Sequence, residues 1–167
     1  VTGVEHRLQS VGLVDGVRFV NDSQGTQPDA VIAALRAFPA PVVLIAGGRD
    51  KGIDLSGLAR AVGETAAAAV LIGESGPTLE GLFREAGLAR TARAATMDEA
   101  VAVADSLAHL ALVESPAGTV ATVVMSPAAA SFDMFEDYAA RGRSFIESVG
   151  RLAAARAAGQ SSDGRPA

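Results

Sequence analysis

Pro41-Val42-Val43-Leu44-Ile45-Ala46-Gly47-Gly48-Arg49-Asp50-Lys51-Gly52 is the stretch whose reading decides the fold. Its first half is an unbroken apolar run, short and rich in branched side chains, which reads as a strand buried on both faces. Its second half is glycine and charge, the composition of a loop whose backbone can approach a ligand closely. Residues 68–72 repeat the pattern and close on Gly73, and a third run, 119–125, leads into Ser126-Pro127. Strands of this kind belong to a parallel sheet covered by helices on both sides.

The segments between these strands carry helical spacing. Pro28 occupies a first helical position, and Val31, Ile32, Leu35 and Phe38 follow on one face. Asp54 is placed to cap a helix bearing Leu55, Leu58, Ala59 and Val62. Leu79, Leu82 and Phe83 mark a helix over 77–86, and Thr96 with Asp98 and Glu99 opens another to about 111. Residues 91–95 read as a short edge strand. After a loop at 126–131, a long helix is expected to run from Phe132, with Phe135, Tyr138, Phe145, Ile146, Val149 and Leu152 along one face. Near the start of the chain, apolar segments 8–14 and 17–20 flank Asp15-Gly16, a two-residue hairpin signal. The expected fold is a three-layer Rossmann-like α/β sandwich, its sheet mostly parallel with an antiparallel N-terminal hairpin strand. One domain fills 1–158, and the polar segment 159–167 is expected to be a disordered tail.

Composition narrows the function classes. With 167 residues, 49% of them hydrophobic, the chain can bury one substantial core. A net charge of -5 and no basic stripe argue against a nucleic-acid partner. The absence of Cys excludes a disulfide framework and a thiolate metal site, and it suits a reducing cytoplasm, the expected location. No apolar run is long enough to span a bilayer, and the N-terminus has no signal-peptide pattern. A monomer without membrane contact is expected. Val1 in place of an initiator Met leads us to expect a cut point inside a longer protein, or a processed start.

Catalytic constellations are missing. No His/Asp/Glu set has metal-ligand spacing, no Ser-His-Asp arrangement can be argued, and the G-x-x-x-x-G-K-[ST] phosphate loop is absent. His109 lies among apolar residues of a helix and reads as structural. Attention therefore turns to binding.

Ligands of such sheets sit beyond the carboxyl ends of the strands. The loops to inspect follow Val20, Ala46, Ile72 and Met125, and two readings stand at each of three of them. In 21–27, Asp22 can accept from a ribose-type hydroxyl while Thr26 and the amides before Pro28 face an anion, or the segment is a turn and helix cap. In 47–52, Lys51 is the only lysine of the chain, either a point charge for a carboxylate or phosphate or a solvated turn residue. In 126–131, Ser131 is a natural N-cap, with Asp133, Glu136 and Asp137 complementing the helix dipole, or the helix end offers its amides to a carboxylate.

Five segments, taken in order, carry a resemblance: His6-Arg7, Asn21-Asp22-Ser23, Gly47-Gly48-x-Asp50-Lys51-Gly52, Ser126-Pro127-Ala128-x-Ala130-Ser131-x-Asp133 and Arg141-Gly142-x-x-Phe145. Together, from about Glu5 to Leu152, the chain resembles the C-terminal domain of the Mur ligases, and among them the D-glutamate-adding UDP-N-acetylmuramoyl-L-alanine:D-glutamate ligases. The serine–alanine segment followed by Arg-Gly-x-x-Phe is the most specific part.

The resemblance implies an enzyme of three domains, of which the N-terminal UDP-binding domain and the central ATPase domain are absent from this chain. ATP and Mg2+ serve the full-length enzyme, which phosphorylates the carboxylate of UDP-N-acetylmuramoyl-L-alanine and lets the amine of D-glutamate attack the acyl phosphate. By the same resemblance Lys51, Ser131 and Phe132 hold the D-glutamate carboxylates, Phe132 through its backbone amide, and Thr26 and Tyr138 complete that pocket. His6, Arg7 and Asp22 match positions near the adenine and ribose of ATP. No catalytic residue and no metal ligand is expected in this chain, which alone should be inactive. Two positions depart from the family pattern. Gln24, followed by Gly25, stands where many members carry Lys, a neutral donor where a cation would face the phosphates; Ala129 stands where Cys is common. The alternatives are another Mur-type amide ligase acting on a different amino acid, and a free-standing Rossmann-like module that binds a nucleotide or amino acid.

Overall fold

Asp15 (φ 47°) and Gly16 (φ 81°) both adopt left-handed backbone, as a two-residue hairpin turn of the favoured hand requires. In a computed structural model, which describes residues 4–50, 52–131 and 133–163, this turn joins β1 (Gln9–Val14) to β2 (Val17–Asn21), paired antiparallel. The chain continues through α1 (Pro28–Arg36), β3 (Val42–Gly47), α2 (Ser56–Thr65), β4 (Ala68–Ile72), α3 (Gly76–Glu85), β5 (Thr91–Arg93), α4 (Met97–Val113), β6 (Ala121–Met125) and α5 (Tyr138–Asp163). The six strands form one sheet in the order β1-β2-β6-β3-β4-β5, parallel everywhere except at the hairpin.

Every residue of β3, β4 and β6 is buried, and alternate residues serve opposite faces. Val43, Ile45, Val70, Ile72, Val123 and Met125 pack with Met97, Val101 and Ala104 of α4 and with Phe145 and Val149 of α5. Val42, Leu44, Leu71 and Val124 pack with Leu35 of α1, Leu58 and Val62 of α2, and Leu79 and Phe83 of α3. The result is the expected three-layer sandwich. With both faces closed, the polar loops at the strand ends are left for ligand contact.

Those loops are brought together by the strand order. Helix α1 carries the chain from β2 past one position to β3, and α4 returns it on the other face so that β6 fills the space between them. The chain leaves β2 and β3 toward one layer and β6 toward the other, the arrangement that opens a crevice at the carboxyl ends.

Two helix starts differ from expectation. Asp54 does not cap α2: its Oδ1 accepts from the Ser56 amide at 2.9 Å, a local turn just ahead of the helix, and Leu55 holds the cap position. The long helix begins at Tyr138, not at residue 132, so Ser131 is not its N-cap. The Ser131 carbonyl accepts from the amides of Met134 and Phe135, closing one isolated turn, and Asp137 does the capping through Oδ1 to the Ala140 amide at 2.7 Å. By contrast Thr96 caps α4 as expected, accepting from the Glu99 amide at 3.1 Å. The same long helix runs past Ala158 to Asp163, so the tail expected from residue 159 is helical at its start.

At the far end of the sheet, Arg156 of α5 bonds Asp15 of the hairpin turn at 2.9 Å and also the buried Asp105 of α4. His109, read as structural, lies 3.4 Å from the same Asp105 carboxylate.

Candidate functional site

Adjacent strand ends carry adjacent polar groups: Asn21 is level with Met125 across β2 and β6, and Met125 with Ile45 across β6 and β3. Asn21, fully buried, works on its own neighbourhood. Its Oδ1 accepts from the Ser23 amide, which fixes the amide orientation, and its Nδ2 reaches Gln9 Oε1 at 3.0 Å and His6 Nδ1 at 2.9 Å. An accepting Nδ1 puts the imidazole proton on Nε2, 3.4 Å from Glu5 Oε1. His6 is thus buried and held, with its ring edge-on to Tyr138 at 6.0 Å. Of the expected pair, Arg7 is the exposed member.

Asp22 is the central acid. Its Oδ2 accepts from Ser126 Oγ at 2.6 Å and its Oδ1 from the Leu8 amide at 3.1 Å, so one carboxylate ties the end of β6 and the entry to β1 to the end of β2. Burial raises its pKa above the ordinary 3.8, against the lowering effect of the Ser126 hydroxyl, the Leu8 amide and the Arg7 charge. Each oxygen retains a lone pair. Beside it lies a cavity of about 250 Å³, bounded by Arg7, Asp22, Gln24 and Gly25 and floored by alanines of α1. Pockets that enclose a whole small ligand run to roughly 300–1,000 Å³, so this one accommodates part of a ligand. Gly25 is required there: a Cβ would strike Ser126 Oγ and Asp22 Oδ2.

The second group of loops meets around Gly47 (φ 121°) and Gly48 (φ 155°). A Cβ on Gly47 would strike the Ile72 carbonyl, and one on Gly48 the Ala130 carbonyl. Arg49 pairs with Ala130 as an isolated bridge, its amide donating to the Ala130 carbonyl at 2.7 Å. The loop after β4 joins in. The Gly48 amide donates to Ser75 Oγ at 3.1 Å, the Ser75 amide returns to the Gly48 carbonyl at 2.8 Å, and the Glu74 amide donates to Asp133 Oδ2 at 2.7 Å. Ser131 is buried at this junction. Lys51 and Phe132, the other two residues expected to hold carboxylates, lie outside the described residues.

Arg141 joins the two groups. It is fully buried on the first turn of α5, and its guanidinium donates to Ser23 Oγ at 3.1 Å, the Ser23 carbonyl at 2.9 Å and the Ala129 carbonyl at 3.0 Å. All three acceptors are neutral. Burial lowers its pKa to about 10, opposed by the charge of Asp133, so it keeps its proton at neutral pH and carries a positive charge beneath the loops.

Of the expected site residues, His6, Arg7 and Asp22 are gathered at one end of the edge, and Thr26, half-buried, follows in the same loop. Tyr138 turns toward that end too: its ring meets His6 and its hydroxyl accepts from Gln24 Nε2 at 3.1 Å. Ser23, Ser75, Ser126 and Arg141 were given no role by sequence reasoning. Arg141 did leave a signal, since it falls on the apolar stripe with Phe145 and Val149, where an uncompensated charge needs an explanation. Ser75 left none.

A doubly wound sheet with a polar network across its switch point and a buried cation beneath has the architecture of α/β domains whose ligands sit at the carboxyl edge. The family described as Mur ligase, glutamate ligase domain matches residues 6–113, and the chain belongs to it. It is 43% identical over 149 residues to UDP-N-acetylmuramoylalanine--D-glutamate ligase of Desulfitobacterium hafniense, and 44% identical over 152 residues to the ligase of that name from Symbiobacterium thermophilum. These alignments take in 89% and 90% of this chain but 31% of each relative. The chain therefore spans about a third of the length of the curated relatives it matches. Among solved structures, Mycobacterium tuberculosis folylpolyglutamate synthase complexed with ADP shares the fold, with a TM-score of 0.64 at 16% identity, covering 87% of this chain and 32% of that one. No helix among the described residues is long and apolar enough to cross a membrane.

Proposed function

We propose that this chain is the amino-acid-supplying domain of an ATP-dependent ligase that joins D-glutamate to UDP-N-acetylmuramoyl-L-alanine in peptidoglycan precursor synthesis. The observation that carries the reading is the Arg49–Ala130 bridge, which lays the glycine loop leading to Lys51 along the loop leading to Ser131. Two segments so paired suit a small dicarboxylic amino acid, and the activity printed for the relatives supplies its identity.

In this reading, ATP converts the carboxylate of the acceptor to an acyl phosphate, and the amine of D-glutamate displaces the phosphate to form the amide. Lys51 supplies a point charge to a D-glutamate carboxylate, and Ser131 and the Phe132 amide supply hydrogen bonds. Thr26 and Tyr138 complete the pocket. Asp22 accepts from a ribose hydroxyl with its remaining lone pairs, Arg7 flanks the same cavity, and His6, next in the chain, is assigned to the same nucleotide end. Arg141 contributes a fixed positive potential from below, worth more in this dry setting than on the surface. The described residues hold no group of three or more His, Cys, Asp or Glu suited to a metal, and Mg2+ is assigned to the rest of the protein. A cytoplasmic monomer without nucleic-acid or membrane partners completes the proposal, with residues 1–158 as the D-glutamate-binding domain.

The test is phosphate release by the full-length protein with ATP, UDP-N-acetylmuramoyl-L-alanine and a panel of amino acids. Turnover should require D-glutamate, and this chain alone should stay at background. Preference for another amino acid, or turnover by this chain alone, would overturn the reading.

A further inference from the structure

We propose that Tyr138 is a positioning residue for the nucleotide end of the site, its hydroxyl fixing the Gln24 carboxamide at the mouth of the Asp22 cavity. This inference rests on the nucleotide and amino-acid sites proposed above and adds a link between them.

Gln24 is exposed, and a free glutamine side chain on a loop samples many rotamers. Its backbone is pinned on both sides: the Gln24 amide donates to the His6 carbonyl at 2.9 Å, and its own carbonyl accepts from the Thr26 amide at 2.8 Å. Tyr138 is equally fixed. Its carbonyl accepts from Ser23 Oγ at 2.6 Å, its ring rests edge-on against His6, and Arg141 anchors the same helical turn. The bond from Gln24 Nε2 to the Tyr138 hydroxyl therefore spans two supports that are each hydrogen-bonded in place. It leaves the carboxamide one N–H and its carbonyl for whatever enters the cavity. Both are neutral, so recognition at this position is by hydrogen bonding to a nucleoside hydroxyl or ring nitrogen and not by charge on a phosphate. Tyr138 also opens the helix that follows the Ser131 loop, so the segment serving the amino acid orders the nucleotide pocket through one hydroxyl.

Tyr138→Phe removes that hydroxyl and keeps the ring. In the full-length protein, we measure the dissociation constant of a non-hydrolysable ATP analogue and the KM for D-glutamate in wild type, Tyr138→Phe, Gln24→Ala and the double variant. Tyr138→Phe is expected to weaken analogue binding roughly two- to fivefold, the worth of one exposed neutral hydrogen bond, whatever the retained ring contributes to the D-glutamate pocket. In the Gln24→Ala background the same substitution should have no effect. An equal effect in both backgrounds, a shift confined to the KM for D-glutamate, or no shift at all would overturn the proposal. Analogue binding requires no ligation, so a protein that failed to use D-glutamate would sink the proposed function while the binding cycle still decided the role of Tyr138.

Discussion

Arg141 reaches from the start of the last helix to both ends of one residue, Ser23, holding its hydroxyl at 3.1 Å and its carbonyl at 2.9 Å. The pairing matters because the third bond goes to the Ala129 carbonyl, so one guanidinium ties two loops together, and it is wholly out of water. Arg141→Met keeps much of the volume but strips the donors from two buried carbonyls and one hydroxyl. Unsatisfied buried acceptors put the loss at about 3 kcal/mol. Arg141→Lys should recover only part of it, since an ammonium lacks the planar fork. Urea unfolding of the three proteins checks the order wild type, Lys, Met.

Asp22 makes stability depend on pH in an unusual direction. Burial raises its folded pKa above 3.8, so the folded state holds its proton longer than the unfolded chain does. Stability contributed at this site is then lost as pH rises from near the ordinary value through the raised one, the reverse of a salt-bridged carboxylate. Asp22→Asn can still accept from the Leu8 amide and can donate to Ser126. It should flatten that part of the stability profile, leave the protein at least as stable at neutral pH, and weaken nucleotide binding. A less stable variant at neutral pH would count against the assignment.

Two glycines of the same helix should answer oppositely to alanine. A Cβ at Gly142 would collide with the His6 ring and come within 3.1 Å of Asn21 Nδ2, whereas Gly150 has open space. Helix propensity alone favours alanine by about 1 kcal/mol at either site. Gly150→Ala is expected to gain close to that amount. Gly142→Ala should lose stability despite it, because His6 and Asn21 have no room to withdraw. Thermal melts of the two variants test the contrast.

For Lys51, proposed to grip a D-glutamate carboxylate, alanine substitution removes a charge-assisted contact worth roughly 1.5–3 kcal/mol. The KM for D-glutamate in the full-length protein should rise roughly 10- to 100-fold, with the KM for ATP little changed. An unmoved KM would relocate the amino acid.

What could be read from the residues follows the range of the interactions. The strands were legible because β3, β4 and β6 are apolar on both faces, and the hairpin because Asp15-Gly16 is a local turn chemistry. Thr96 was legible as a cap since its partner is Glu99, three residues on. The start of α5 was not: Phe132 and Phe135 continue the helical spacing, and only the competing bonds of Ser131 and Asp137 show where the backbone turns. In the site, Asp22 stood out as an acid at a strand end. The Arg141–Ser23 and Gln24–Tyr138 pairs did not, because they join positions 118 and 114 residues apart. Spacing within a segment carries no information on such pairs.

The strand order has a consequence for biosynthesis. β6 lies between β2 and β3, yet among the described residues it is the last strand to be made. Until residue 125 has left the ribosome, the hairpin and the β3–β4–β5 block have no partner on their facing edges, and both expose rows of unpaired amides and carbonyls. Completion of the sheet awaits a long-range insertion, a slow kind of step. Nascent chains stalled ahead of Ala121 should stay protease-sensitive as a whole, and this domain should depend on chaperones most in that interval.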